Sequence, residues 1–277
     1  MSRLSLTVVL AILLSSSAIS VSSELPAAKL KTSPVLTVTD AGSWKTVQKG
    51  IEFRKMTLER SEPSHSIDLK LLRFDSRWVV PRVLRSAQFQ LKGANARTFA
   101  DKTGAIATIN ASYFDTDGKP LAFLKVAGQA INSRVARNPL YTGIFSIKDQ
   151  QSSISHRDEF AAEEADEGLQ SGPLLLLHGT AQKITRVPSR VSRRALIGID
   201  PEQRLVIGVA DSILGGLDWT ELQELFSAPP WQIGVTDLLN LDGGGSAQLY
   251  IKTTKFEELV AGATEVPVAI GFFNRVS

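Results

Sequence analysis

The chain has 277 residues, 43% of them hydrophobic, enough to bury a core in one large domain or two small ones. With 31 Lys and Arg against 28 Asp and Glu, net charge gives no case for nucleic acid or an anionic membrane as a partner. Cysteine is absent, which excludes disulfides, thiolate metal sites and cysteine catalysis.

The N-terminus has three parts. A short basic start, Met1-Ser2-Arg3, precedes a mostly apolar stretch over residues 4–14 and small polar residues over 15–23. That order predicts a secretory signal peptide over residues 1–22, with Ala18-Ile19-Ser20 and Ser20-Val21-Ser22 both offering small residues to the peptidase. The apolar stretch is too short for an anchor, since a span needs about 20 residues, so no stable membrane insertion is expected after cleavage. Export without cysteine fits a bacterial periplasm or exterior.

Residues 23–49 mix Ser, Thr, Ala, Pro and Lys without a sustained period and read as a linker or loosely held arm. A single domain is expected over 50–277. Residues 51–58 and 67–74 alternate in part and flank turn material around Pro63, the pattern of an antiparallel pair. Trp78-Val79-Val80 reads as a short strand stopped by Pro81. A helix is predicted over 95–103, with Asn95 as N-cap and Gly104 as the closing glycine. The apolar run over 105–109 reads as a buried strand, 141–147 as another, and the acidic 158–167 as a solvated helix or loop. Residues 173–177 form a central apolar run, and the basic 183–194 reads as a solvated loop. Strands over 195–199 and 204–210 flank the turn Asp200-Pro201-Glu202-Gln203. Asp218 and Glu221 have the spacing of a capping box for a helix ending near Ser227, with a second short helix toward Asp237 and a last strand over 266–273. Strands and helices alternate irregularly. The expected class is α+β, a large mixed or mostly antiparallel sheet packed with helices.

Between the last two elements lies Asn240-Leu241-Asp242-Gly243-Gly244-Gly245-Ser246. Glycine permits positive φ and close backbone approach, so this run reads either as a plain turn or as a loop whose N–H groups converge on an anion. Asp242 and Asn240 flank it as candidates for base, nucleophile or ligand. No Gly-Lys-Ser/Thr follows, and the dinucleotide glycine spacing is absent.

Three more segments accompany this loop: Asn110-Ala111-Ser112-Tyr113-Phe114-Asp115, Ser171-Gly172-Pro173-Leu174-Leu175, and Arg193-Arg194-Ala195-Leu196-Ile197-Gly198. In this order the four resemble the motifs of the phosphodiester glycosidase family, most strongly over residues 95–273. The resemblance implies hydrolysis of a sugar-1-phosphodiester, so the expected partner is that substrate. Because the leaving group is already an acidic phosphate, cations and N–H donors that hold its charge become the main electrostatic requirement. A carboxylate must attack the anomeric carbon or activate water there. On this reading Asp242 and Asp115 are the catalytic candidates. Asn110, Arg193, Arg194, Asn240, Gly243, Gly244, Gly245 and Ser246 are the candidates for binding sugar or phosphate. Asp115 with Asp117-Gly118 also fits a plain turn. Neighbours on a strand point to opposite faces, so only one of Arg193 and Arg194 should face the site: matching on Ala195 favours Arg193, the one preferred here, and matching on Gly198 favours Arg194. His65, His156 and His178 fall outside every motif. Glu265 stands where many relatives carry an arginine. No cofactor is required by these residues, a divalent cation is left open, and no oligomeric state is implied. Two other readings stay open: a non-catalytic carbohydrate- or phosphate-binding protein involved in exopolysaccharide handling, and a metal-dependent phosphodiesterase that cuts the P–O bond.

The N-terminal pattern makes the first prediction. Protein recovered from the periplasm or medium should begin between about Ser20 and Ser23 on N-terminal sequencing. An intact Met1 on soluble cytoplasmic protein would overturn the expectation of export.

Overall fold

The computed structural model describes residues 28–29, 35–227, 231 and 233–275. The expected signal peptide lies outside them. Among the described residues every strand pairing is antiparallel, and the strands form three sheets. The largest has ten strands. Its centre is the run Ser64–Phe74, Leu205–Asp211, Arg194–Ile199, Asp237–Asn240 and Leu174–Leu177. Two five-stranded sheets complete the fold. One is built around Gly143–Lys148 and Glu167–Ser171, the other around Leu249–Lys252, Ala107–Asn110 and Val268–Asn274.

Burial explains the layering. Arg194–Ile199 is buried at every position, as a strand covered on both faces must be. On one face of the large sheet, Leu72, Ile197, Ile207 and Leu239 pack with Phe145 and Leu169 of one small sheet and Ile109, Leu249 and Ile270 of the other. On the opposite face Met56, Leu71, Leu196 and Val206 pack with Leu222, Leu225 and Phe226 of the helix Trp219–Ser227. The other helix, Ala96–Thr103, is capped as its sequence predicts: Asn95 accepts from the Thr98 N–H at 2.8 Å and Gly104 closes it at φ 74°.

The α+β expectation is corrected by this architecture. Among the described residues the fold is β-rich, with two α-helices of eight and nine residues beside three antiparallel sheets. The segments between strands are mostly hairpins and loops rather than helical crossovers, because antiparallel neighbours need only tight connections. Residues expected in an arm are also in the sheet: Leu36–Asp40 and Lys45–Gln48 both pair with Ile51–Ser61, through Val38, Leu36 and their neighbours. Pro81 does not stop its strand. Val79–Arg85 is an edge strand, where a missing N–H is tolerated, and Pro81 lies opposite Phe272. Residues 158–166 form turns, the loop of the two expected readings, and residues 233–235 are not helical.

The helix Trp219–Ser227 is locked by charge. Asp218 accepts from the Glu221 N–H and Glu221 from the Asp218 N–H, both at 2.9 Å, which completes the capping box. The same Glu221 carboxylate meets Arg60 at 2.8 Å, and both side chains are buried. Removing one member strands the other charge in a dry core, at about 3–5 kcal/mol. Glu221→Ala should therefore lower the stability by roughly that amount in urea unfolding, and Arg60→Met with Glu221→Leu should recover much of it.

Candidate active site

The segment 241–248 leaves the large sheet at Asn240 and enters a small sheet at Leu249, so it crosses the seam between them. Main-chain bonds fix the crossing. The Leu241 N–H donates to the Ala195 carbonyl at 2.8 Å, and the Asp242 N–H to the Ala111 carbonyl at 2.9 Å. Asn110 braces the same turn by donating to the Asp242 carbonyl at 2.6 Å and accepting from the Gln248 N–H at 3.0 Å. Its side chain is consumed in holding the loop.

Asp242 is partly buried at this seam. Burial pushes its carboxyl up to about 6, although the Ser246 hydroxyl and the Gly243 N–H both bond it and pull the other way. Two tyrosines stand beside it, with ring centroids 5.3 Å apart. Burial raises both phenols, and the Asp242 charge raises them further. The Tyr113 hydroxyl donates to the Gly172 carbonyl at 2.9 Å and receives from the Asn240 amide at 3.1 Å. Asn240 also donates to the Gly172 carbonyl at 2.8 Å, and its Oδ1 has no hydrogen-bond partner among the described residues. A Cβ on Gly172 would lie 1.9 Å from the Leu140 carbonyl oxygen, so only glycine fits where that carbonyl is presented.

The glycine loop is less open to an anion than three consecutive amides imply. The Gly243 N–H bonds the Asp242 carboxylate, and the Gly244 N–H donates to the Arg193 carbonyl at 2.9 Å. Gly245 alone keeps a main-chain donor without a partner among the described residues. Gly244 has φ 58°, and a Cβ on Gly243 would meet the Arg193 carbonyl oxygen at 2.7 Å, so both positions need glycine. The Ser246 hydroxyl faces Asp242.

Arg193 and Arg194 do point apart. Arg193 pairs with Asp211 at 3.1 Å and donates to the Ala261 carbonyl at 2.8 Å. Arg194 is buried, with its guanidinium carbon 3.5 Å from the Trp219 ring centroid and Nε donating to the Leu217 carbonyl. Burial lowers it to about 10, so it remains a cation, and its charge is felt by Tyr113. Of the two, Arg194 is the one coupled to the tyrosine beside Asp242.

Asp115 is not brought to Asp242 by any described contact. Its Oδ1 accepts from the Asp117 and Lys119 N–H groups at 2.9 and 2.8 Å, which makes it the organiser of a turn on a separate cleft with Lys92 and Arg134. The histidines also stand apart: His65 bonds the Pro63 carbonyl, and His178 is exposed beside Asp237. Glu265 is exposed and follows Ala263 and Thr264, which both donate to the Gly245 carbonyl. No group of three or more His, Asp or Glu gathers at metal-binding spacing among the described residues. Tyr113, Tyr141 and Trp219 were missed by reasoning from sequence. Tyr113 lay inside a motif, and its neighbours there drew attention first. For Tyr141 and Trp219 no local signal exists, because only the folded chain brings them in.

A β-rich domain that gathers a carboxylate, two tyrosines and a glycine loop at one seam has the parts of a glycan-hydrolase site. The chain belongs to the phosphodiester glycosidase family, whose model matches residues 103–273. No curated protein matches the chain. Among solved structures it is similar to the catalytic domain of zebrafish N-acetylglucosamine-1-phosphodiester alpha-N-acetylglucosaminidase, a structure auto-inhibited by its pro-peptide. The TM-score is 0.63 at 15% identity, over 85% of this chain and 87% of that one. It is also similar to a hypothetical protein from Synechocystis, with TM-score 0.66 at 16% identity over 86% of this chain and 65% of that one. At these identities the likeness is one of fold.

The raised carboxyl of Asp242 makes a prediction about stability. Its folded value of about 6 exceeds the ordinary 3.8, so between those values the folded chain holds a proton that the unfolded chain has released. Stability from this group is therefore present at low pH and falls as pH rises through 6. Asp242→Asn should stabilise the fold by about 1–3 kcal/mol at pH 8 and by little near pH 4, read from urea unfolding at both values.

Proposed function

We propose that the protein hydrolyses the glycosidic bond of a sugar-1-phosphodiester, with Asp242 as the reacting carboxylate, and that it does so outside the cytoplasm on an envelope or extracellular glycan. The observation that carries this reading is Asp242 itself: a desolvated carboxylate beside Tyr113 and Tyr141, on the loop most specific to the family. The name of the zebrafish enzyme, which acts on a sugar-1-phosphodiester, supports the substrate class.

The chemistry suits a site with one carboxylate at its centre. An ordinary glycosidase needs a second carboxyl to protonate a poor leaving group. A phosphate monoester leaves as a stabilised anion, so its departure needs no general acid. Asp242 then has one task, attack at the anomeric carbon or removal of a proton from the attacking water. Buried Arg194 supplies positive potential on the far side of Tyr113, and the free Gly245 N–H supplies a donor for a phosphate oxygen. Asp115, occupied in its turn, acts in this reading by shaping the 111–121 loop.

Both tasks require ionised Asp242, so kcat/KM on a sugar-1-phosphodiester should rise with pH through about 6 and level off above it. Asp242→Asn should remove activity by about a thousandfold or more without loss of folding. Hydrolysis in water labelled with heavy oxygen should give free sugar and a phosphate monoester without the label. Label in the monoester, or release of a sugar phosphate instead, would mean that a P–O bond broke, and would overturn the assignment of Asp242.

A further inference from the structure

A second cleft adjoins the site and is strongly basic. Its volume is about 410 Å³, and Arg137, Arg157, Lys183, Arg186, Gln182 and Thr142 contribute to its wall. Four cations therefore stand together in a chain whose overall excess is three. They are not equally free. Arg157 is spent on main-chain carbonyls, with bonds to Asn138 at 2.5 Å and Tyr141 at 3.1 Å. Arg137 pairs with Asp158, which also lies 3.4 Å from His156 on the same wall. Lys183 and Arg186 are exposed, and no hydrogen bond or ion pair engages their side chains among the described residues. Both lie on the basic loop that the sequence marks as solvated, and folding places that loop on the wall of the same cleft as Arg137.

The cleft's wall is joined to the site through chain neighbours. Thr142 follows Tyr141, whose ring packs on Tyr113, and Pro173 follows Gly172, whose carbonyl holds Tyr113 and Asn240. On the proposal that follows, a molecule extended from Asp242 past Tyr141 brings its next unit to the cleft that Lys183 and Arg186 line. We propose that this cleft binds a second phosphate of the same substrate, so that the preferred substrate carries phosphate on more than one unit. This rests on the hydrolytic reading above for the word substrate, but the anion site itself does not. Guanidinium offers two parallel donors to phosphate oxygens, the Lys183 ammonium adds a point charge, and Gln182 lines the same wall as a neutral amide. An open cleft of this kind is screened by salt, so binding should weaken as ionic strength rises.

The test uses the full chain carrying Asp242→Asn, titrated calorimetrically with inorganic tripolyphosphate as the probe. Lys183→Ala with Arg186→Ala is compared with a charge-matched control, Lys252→Ala with Lys255→Ala, all four residues being exposed. Thermal unfolding confirms that both variants fold. The cleft pair should weaken tripolyphosphate binding roughly tenfold or more, and the control should not. Equal binding by the two variants, or none by the parent chain, would overturn the proposal. With Asp242 restored, the cleft pair should raise KM for a diester bearing a second phosphate and leave kcat, and the KM for a singly phosphorylated diester, unchanged. If neither diester is hydrolysed while tripolyphosphate binding still depends on Lys183 and Arg186, the hydrolytic reading fails and the anion site stands. If both are hydrolysed with the same KM in the cleft pair and the control, the hydrolytic reading stands and this inference fails.

Discussion

Four buried side-chain amides hold the site together. Asn110, Gln170, Asn240 and Gln248 are each 1% exposed or less, and each sits where a strand ends or a loop crosses between sheets. A buried amide is costly unless its donors and acceptor are bonded, so each fixes the main chain around it. Gln170 takes the Ala136 N–H at 2.7 Å and donates to the Ala136 and Tyr141 carbonyls, both at 2.8 Å, which sets the position of Tyr141. Gln248 accepts from the Ala96 N–H at 2.7 Å and donates to the Thr264 carbonyl at 3.1 Å, tying the first helix and the 261–265 loop to the glycine run. Asn110 and Asn240 hold the two sides of Asp242. Where three sheets diverge, main-chain pairing has to stop, and these amides supply the bonds that the ladders no longer provide. A change in any one strands several partners at once, so the site behaves as a unit with the core.

The parts legible in the sequence were those encoded within a few residues. The caps of both helices follow from single residues, Asn95, Gly104, Asp218 and Glu221, whose bonds close within one turn. The family motifs marked four of the segments that meet at the seam, though not those that carry Tyr141 and Trp219, because motifs of this kind are loops whose backbone must be held for chemistry. The fold class was not legible. An apolar run such as Leu205–Asp211 has the same composition in a central antiparallel strand as in a parallel one, and nothing local tells which neighbour will pair with it. The strands over residues 36–48 escaped for the opposite reason. They are short and edge-like, Lys45–Gln48 has no fully buried position, and only pairing with Ile51–Ser61 reveals them.

The two arginines show the limit of periodicity most clearly. Alternation says that Arg193 and Arg194 diverge, and they do. It does not say which side faces the site. That is set by Leu196, which shares the face of Arg194 and packs toward the helix Trp219–Ser227, so Arg194 is drawn over Trp219. Arg193 is left to the Asp211 carboxylate and the Ala261 carbonyl.

The direction of the hydrogen bonds narrows the roles of the remaining polar groups. Asn240 donates to Tyr113, and Tyr113 donates to Gly172, so the Tyr113 proton is already committed and its phenol, pushed upward by burial and by Asp242, does not ionise to become a base. Tyr141 differs. Its hydroxyl has no partner among the described residues, and the same two causes hold it in the neutral form. It is therefore the hydroxyl beside Asp242 with a proton left to share. On the reaction proposed above, a neutral donor at that position would stabilise the Asp242 carboxylate as it ionises without delivering a proton to the leaving group.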